Sequence, residues 1–280
     1  MTVSRTHEPH PWNTDFHWED HTDPPATLSA EQVAAFDRDG FLVIMNAFDH
    51  ETLEMLDTEI APGQRMVADL LAQLPGHRLS VAGLDTQVVA PHLVLRSSRL
   101  AAFCAHPLLA GLARDLVGPD VNLYWEQAVY KQPHSAEPVL WHQDNGYTFI
   151  EPQAYLTCWI AITDATLATG CISVMPGAHR DGTLAHADTP IGFECWGDHD
   201  HAVDVPVPAG SIVVFSSLTP HATRVNTSDE VRKAYIIQYC HASAVGHDPL
   251  PDGSKGPART QNDPTRQFPI VRDGRLVTPD

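Results

Sequence analysis

Ser211-Ile212-Val213-Val214-Phe215-Ser216-Ser217-Leu218-Thr219-Pro220-His221-Ala222-Thr223-Arg224-Val225 reads as two short strands joined by a turn. The apolar run Ile212 to Phe215 is too short for a helix and rich in β-branched and aromatic side chains. Leu218-Thr219-Pro220 breaks it, because proline cannot continue a hydrogen-bonded ladder. Working outward, the same grammar fills the chain from Val121 to His241. Strands are expected at Val121–Lys131, Val139–His142, Tyr155–Thr163, Cys171–Met175, Val203–Val207, Ser211–Phe215, Ala222–Val225 and Lys233–Cys240, divided by Gly, Pro and Asp turns. About eight strands without long helices between them predict an antiparallel sandwich or barrel rather than a parallel sheet.

The flanks differ. Ser29, followed by Glu31 and Gln32, opens an amphipathic helix that carries Val33, Ala34 and Phe36; Asp39-Gly40 ends it, and Phe41-Leu42-Val43-Ile44 is a short buried strand. Further helices are expected at about Asp49–Ile60, Gln64–Leu74 and Pro107–Val117, the last stopped by Gly118-Pro119. The expectation is one domain over 1–280, mainly β with flanking helices. It comprises an irregular arm (1–27) with solvated His7, His10, His17 and His21, a mostly helical stretch (28–118), the β core (121–241) and a wrapping tail (242–280).

The formal charge of −18 argues against a nucleic-acid or anionic-membrane surface. No apolar run is long enough to span a bilayer, and Met1 to His10 is polar rather than leader-like. Five widely spread cysteines (Cys104, Cys158, Cys171, Cys195, Cys240) include no pair at the two-residue gap of a zinc or redox motif. Reduced thiols in a cytoplasmic protein acting on a small molecule are the expectation.

Histidine and carboxylate placement carries the chemistry. In extended chain, residues i and i+2 share a face, so His142 and Asp144 of Trp141-His142-Gln143-Asp144 can reach one metal ion while Gln143 points elsewhere. His221, opening the strand after Pro220, is the best third ligand. Two imidazoles and one carboxylate form the facial triad of non-haem iron(II), leaving three coordination positions for a cosubstrate and dioxygen. Alone, His-x-Asp is weak in a chain with 17 histidines, and His199-Asp200 and His247-Asp248 show how common His beside Asp is here. Taken singly, His142 reads as a hydrogen-bonded barrel histidine rather than as a ligand.

The neighbours of His221 add weight. Thr223 places a hydroxyl on the same face, and Arg232 lies eleven residues after His221, where a hairpin returns it toward the metal side. A guanidinium there can bind a carboxylate in bidentate fashion, with Thr223 adding a third hydrogen bond. That suits a dicarboxylic 2-oxo acid whose other end chelates the metal. The competing reading of Arg232 is a surface residue paired with Asp229 or Glu230.

With these residues in place, the pattern resembles the phytanoyl-CoA dioxygenase family of Fe(II)/2-oxoglutarate oxygenases over most of the chain. Leu28-Ser29-Ala30-Glu31-Gln32-Val33 through Phe36-Asp37-Arg38-Asp39-Gly40-Phe41 looks like the family's amino-terminal segment. Trp141-His142-Gln143-Asp144 is similar to its metal motif, and Met175-Pro176-Gly177-Ala178-His179-Arg180 to its Pro-Gly-Ser-His-Lys/Arg turn, with Ala178 in place of Ser. The resemblance implies a double-stranded β-helix (jelly-roll, cupin-like) core with helices outside. It also implies 2-oxoglutarate and dioxygen as cosubstrates, and Trp159, Gln127 and Lys131 on the cosubstrate side. His179 then serves its turn and is not a ligand.

Residues Asn145-Gly146-Tyr147-Thr148-Phe149 differ from the run that ectoine-acting members carry there, so ectoine is disfavoured, and nothing marks a coenzyme A site. Asn145, Tyr147 and Phe149, with the His186–Asp200 loop as lid, are the expected substrate wall; Asp164, Glu126 and His134 are further candidate contacts. The reaction expected is hydroxylation of an unactivated C–H bond, with desaturation, ring closure and epimerisation open. Halogenation is disfavoured because Asp144 occupies the position a halide would need. The rival of another class is a non-catalytic cupin-type binding protein, in which Arg232 would have no task.

Overall fold

The computed structural model describes residues 7–196 and 200–277. Ten strands build the site: β1 (Phe41–Ile44), β2 (Gln87–Pro91), β3 (Val121–Lys131), β4 (Val139–His142), β5 (Leu156–Ala161), β6 (Ile172–Val174), β7 (Val203–Val205), β8 (Ile212–Ser216), β9 (His221–Thr223) and β10 (Arg232–His241). The larger sheet runs β1-β8-β5-β10-β3-β2, and the smaller runs β7-β6-β9-β4; every pairing is antiparallel. All eight strands expected between Val121 and His241 are present, in the jelly-roll arrangement the family resemblance implied.

Side-chain alternation divides the larger sheet into two faces. Trp159, Ala161, Val213, Phe215 and Ala234 pack inward against Ile172, Val174 and Val205 of the smaller sheet. Their neighbours Cys158, Ile160, Val214, Tyr235 and Ile237 point outward into a core shared with the helices.

Four helices cover that outer face: α1 (Ala30–Asp39), α2 (His50–Gln73), α3 (Ser98–Cys104) and α4 (Pro107–Val117). α1 begins with a reciprocal capping box, Gln32 N donating to Ser29 Oγ (3.2 Å) and Ser29 N to Gln32 Oε1 (2.9 Å). It ends at Gly40 in the left-handed region (φ 78°), where an added Cβ would lie 2.5 Å from His179 Nδ1. His179 is buried, with Nε2 3.1 Å from Asp37 O and its ring edge-on to Trp18. It thus braces its own turn.

The flanks depart from expectation in four places. In the arm, His10 and His21 are not simply solvated: His10 packs against Trp12 and Phe149, and His21 lies 2.6 Å from Asp37 Oδ1 and 3.1 Å from Leu116 O, because the arm lies against the folded chain. The two helices expected at Asp49–Ile60 and Gln64–Leu74 are one helix, α2, with Pro62 inside it. Leu56, Ile60, Gly63, Gln64 and Leu71 form one buried face across the proline, and that burial outweighs an interior proline's cost of about 3 kcal/mol. Within the helical stretch, β2 joins the larger sheet against residues 127–131 of β3. In the tail, Pro269–Arg272 pairs with the start of β3 at Asn122 and Val121, so this segment extends the sheet as well as wrapping it. No single helix among the described residues is long and apolar enough to cross a membrane.

Candidate active site

The paired ends of β4 and β9 create the centre. His142 and His221 are direct antiparallel partners, and their rings lie 4.2 Å apart between centroids. Asp144 follows through Gln143, which is extended (φ −107°, ψ 144°), and opens a short turn, Asp144–Gly146. One ligand atom from each of His142, Asp144 and His221 falls within 4.8 Å of the other two.

Second contacts fix the direction of each group. His142 Nδ1 is 2.7 Å from Leu140 O and His221 Nδ1 is 3.0 Å from Thr219 O. A carbonyl only accepts, so both Nδ1 atoms carry a proton, which leaves Nε2 as the atom each ring can offer as a ligand. Burial, then the neighbouring His221, holds His142 well below the usual imidazole range, hence neutral. Asp144 Oδ2 accepts from Thr157 Oγ1 at 2.5 Å, while Oδ1 lies 3.7 Å from His221 Nε2. Gln143 is fully buried; its amide donates to Gly182 O (2.9 Å) and Leu218 O (2.6 Å) and accepts from Leu184 N (2.7 Å). This bracing locks the turn between the two motif residues.

A cavity of about 410 Å³ opens from the centre, lined by the three residues together with Thr157, Trp159, Thr223, Arg232, Gln127 and Tyr147, among others. Arg232 stands at the start of β10, opposite Lys131 of β3, with its guanidinium carbon 5.2 Å from the centre of the Trp159 ring. It is 1% exposed, and Nε, Nη1 and Nη2 all lack a hydrogen-bond partner. The alternative of a surface pair with Asp229 or Glu230 is therefore excluded. Burial lowers its pKa to about 10, which leaves it charged at neutral pH. A buried cation with no partner is costly, and a polar anion beside it offsets that cost.

Lys131 is placed differently from a direct anion ligand. Its ammonium donates to Thr223 Oγ1 (2.9 Å), to Thr223 O (3.4 Å) and to Arg224 O, which uses all three protons. Burial, then Arg232, brings its pKa to about 7. Because Thr223 Oγ1 already accepts from Lys131, its own proton is available to an acceptor in the cavity.

Of the three residues expected in the substrate wall, only Tyr147 lines the cavity. It stands edge-on to His142 and packs against Phe193. Asn145 is buried in the turn, donating to Thr183 Oγ1 (2.6 Å) and accepting from Ile150 N (2.9 Å). Phe149 faces the arm instead, against His10 and Trp12. Regular alternation would put Asn145, Tyr147 and Phe149 on one face, but the turn Asp144–Gly146 breaks it, so residues two apart face different ways. From the His186–Asp200 loop, His186 Nε2 accepts from Gln143 N (2.9 Å) and Phe193 supports Tyr147; residues 197–199, including His199, lie outside the described residues. Glu126 is on the outer face, bonded to Tyr235; Asp164 accepts from Ala209 N, and His134 pairs with Asp229. None of the three lines the cavity.

The family model for phytanoyl-CoA dioxygenase (PhyH) matches residues 36–234, which contain His142, Asp144, His221, Thr223 and Arg232. The chain belongs to the phytanoyl-CoA dioxygenase family. A "Phytanoyl-CoA dioxygenase domain-containing protein 1 homolog" of Caenorhabditis elegans is 24% identical over 254 residues, spanning 72% of this chain and 87% of the relative. An ectoine dioxygenase of Bordetella parapertussis is 26% identical over 236 residues, 76% of this chain and 75% of its own. Among solved structures, the non-heme alpha ketoglutarate dependent carbocyclase SnoK from nogalamycin biosynthesis superposes with TM-score 0.63 at 25% identity, covering 85% of this chain and 97% of its own. EctD from S. alaskensis, solved with 2-oxoglutarate and 5-hydroxyectoine, shares the fold with TM-score 0.66 at 21% identity, over 92% and 94% of the two chains. Fe(II) with 2-oxoglutarate fits this donor set: two imidazoles and a carboxylate converge, and an unpaired buried guanidinium stands in the same cavity.

Proposed function

We propose that the chain oxidises a C–H bond of a small-molecule metabolite, consuming 2-oxoglutarate and dioxygen and releasing succinate and carbon dioxide. The observation that carries this reading is Arg232, a buried guanidinium with three unpaired nitrogens in the cavity that holds the His142–Asp144–His221 cluster. Bound Fe(II) supplies the coupling of oxidative decarboxylation to attack on the substrate: R–H, dioxygen and 2-oxoglutarate become R–OH, succinate and carbon dioxide.

The chain's own residues supply position. His142 and His221 hold their Nε2 lone pairs toward one point through the Nδ1–H bonds to Leu140 and Thr219. Thr157 occupies Asp144 Oδ2 and leaves Oδ1 to the metal. Arg232 and the Thr223 hydroxyl grip the far carboxylate of 2-oxoglutarate, and Lys131 orients that hydroxyl. Trp159 and Gln127 wall the cosubstrate end, while Tyr147 stands beside His142 on the substrate side. With Asp144 as the third protein ligand, the product is oxygenated or dehydrogenated rather than halogenated. Five buried, free cysteines support a cytoplasmic setting.

The test is titration of 2-oxoglutarate into Fe(II)-loaded protein without oxygen. A weak visible charge-transfer band that saturates at one equivalent is expected, and its absence at millimolar 2-oxoglutarate sinks the proposal.

A further inference from the structure

The cosubstrate reading commits every charged group of the cavity. His142, Asp144 and His221 go to the metal and Arg232 to 2-oxoglutarate. Lys131 is used by Thr223 and Arg224. No other carboxylate, imidazole, ammonium or guanidinium lines the cavity among the described residues. The rest of the wall is uncharged: the rings of Tyr124, Trp125 and Tyr147 and the apolar Val81 and Val89, with neutral hydroxyls and amides set among them. A charged substrate group placed there would lose its water and meet no counter-charge. Flat aromatic walls favour a ring against them.

Gln87 is one of the neutral amides set in this wall. It lies on β2, two strands across from Arg232, and is 7% exposed. Its Nε2 donates to Val81 O at 3.1 Å, but its buried Oε1 has no partner. An unmet amide oxygen costs free energy that a donor on a ligand would recover.

We propose that the substrate is an uncharged, largely apolar ring compound presenting a hydroxyl or N–H donor to Gln87. The inference rests on the cosubstrate reading, which removes Arg232 from the substrate's reach.

Binding, not turnover, tests it. The Zn(II)-loaded protein is saturated with 2-oxoglutarate, and Kd values are measured by ligand-observed NMR for four probes of one shape. They are 2-naphthalenemethanol, its methyl ether, 2-naphthoate and 2-naphthylmethylammonium. The alcohol is expected to bind at least about tenfold tighter than either charged probe, since neither charge would find a partner. It should bind about 2–10-fold tighter than the ether, the range of one neutral hydrogen bond. Gln87→Leu should erase the alcohol–ether difference, and the ether comparison stands on the unmodified protein if that variant fails to fold. A charged probe binding as tightly as the alcohol, equal binding of alcohol and ether, or no alcohol binding at millimolar concentration each overturns the proposal. Calorimetry of 2-oxoglutarate on the same Zn(II) protein separates the two failures. Loss of 2-oxoglutarate binding removes the reading beneath, whereas normal 2-oxoglutarate binding without the neutral preference removes this inference alone.

Discussion

At the residue scale, the site depends on groups with unequal visibility in the chain. Arg232 and Thr223 stand eleven and two residues from His221, so local spacing alone brings them into consideration. On the proposed cosubstrate role, Arg232→Ala would remove a charge-assisted bidentate contact worth about 1.5–3 kcal/mol, and the Kd for 2-oxoglutarate should rise about 10–150-fold. An unchanged anaerobic titration would show that the guanidinium serves another ligand. Thr157 had no such signal. A threonine inside Leu156–Ala161 is ordinary strand composition, and only the fold brings its hydroxyl 2.5 Å from Asp144 Oδ2. The available hint was period: Thr157 precedes Trp159 by two, so both share the inner face. Thr157→Val should weaken metal binding about 10–100-fold, the range for losing a partner behind a metal ligand. Chelator competition with Mn(II) reads that affinity. Equal affinity in the two proteins would mean that Asp144 needs no orienting bond.

At the element scale, strands with strong punctuation were legible and elements defined by distant partners were not. Val121–Lys131 and Val139–His142 were bounded correctly because Gly118-Pro119 and Pro133 mark their approaches. β2 was not identified. Its five residues end in a proline and are stabilised by β3, some forty residues later, and by Gln64 of α2, which donates to Val88 O and Ala128 O. Continuity of α2 through Pro62 escaped for the same reason, since tertiary burial decides it. The turn into β8 is more rigid than its sequence suggests. Gly210 has φ +83°, and a Cβ there would lie 2.2 Å from Phe48 O, a backbone atom that cannot rotate away. Gly210→Ala should therefore destabilise the protein by about 2–5 kcal/mol, adding the left-handed penalty to overpacking. Urea unfolding measures it, and a loss below about 0.5 kcal/mol would show that the Phe48 segment yields freely.

At the scale of the whole molecule, the larger sheet separates two environments, a cavity that gathers the polar groups of the site among aromatic and apolar walls, and a helical layer that is almost entirely apolar. Alternation along the strands made that division readable, but it does not reveal a carboxyl group on the apolar side. Glu126 is 1% exposed, accepting from Val94 N (3.1 Å) and Tyr235 OH (2.9 Å), and burial raises its pKa from 4.5 to about 7. Between those values the folded chain holds a proton that the unfolded chain has released. Stability from this group is therefore complete below pH 4.5, falls as pH rises to 7, and is flat above. The loss amounts to about 3 kcal/mol. Buried histidines act in the opposite sense: burial lowers His179 and His186 from 6.5 to about 4, so folding weakens as pH falls through that interval. Comparing Glu126→Gln with the parent cancels the histidines and isolates the carboxyl. The difference in unfolding free energy should shift in favour of Gln by about 3 kcal/mol between pH 4.5 and pH 8, whatever its starting value. Urea unfolding of both proteins across that range measures the shift. A difference independent of pH would mean that Glu126 ionises alike in the folded and unfolded chains, and that the helical layer tolerates its charge.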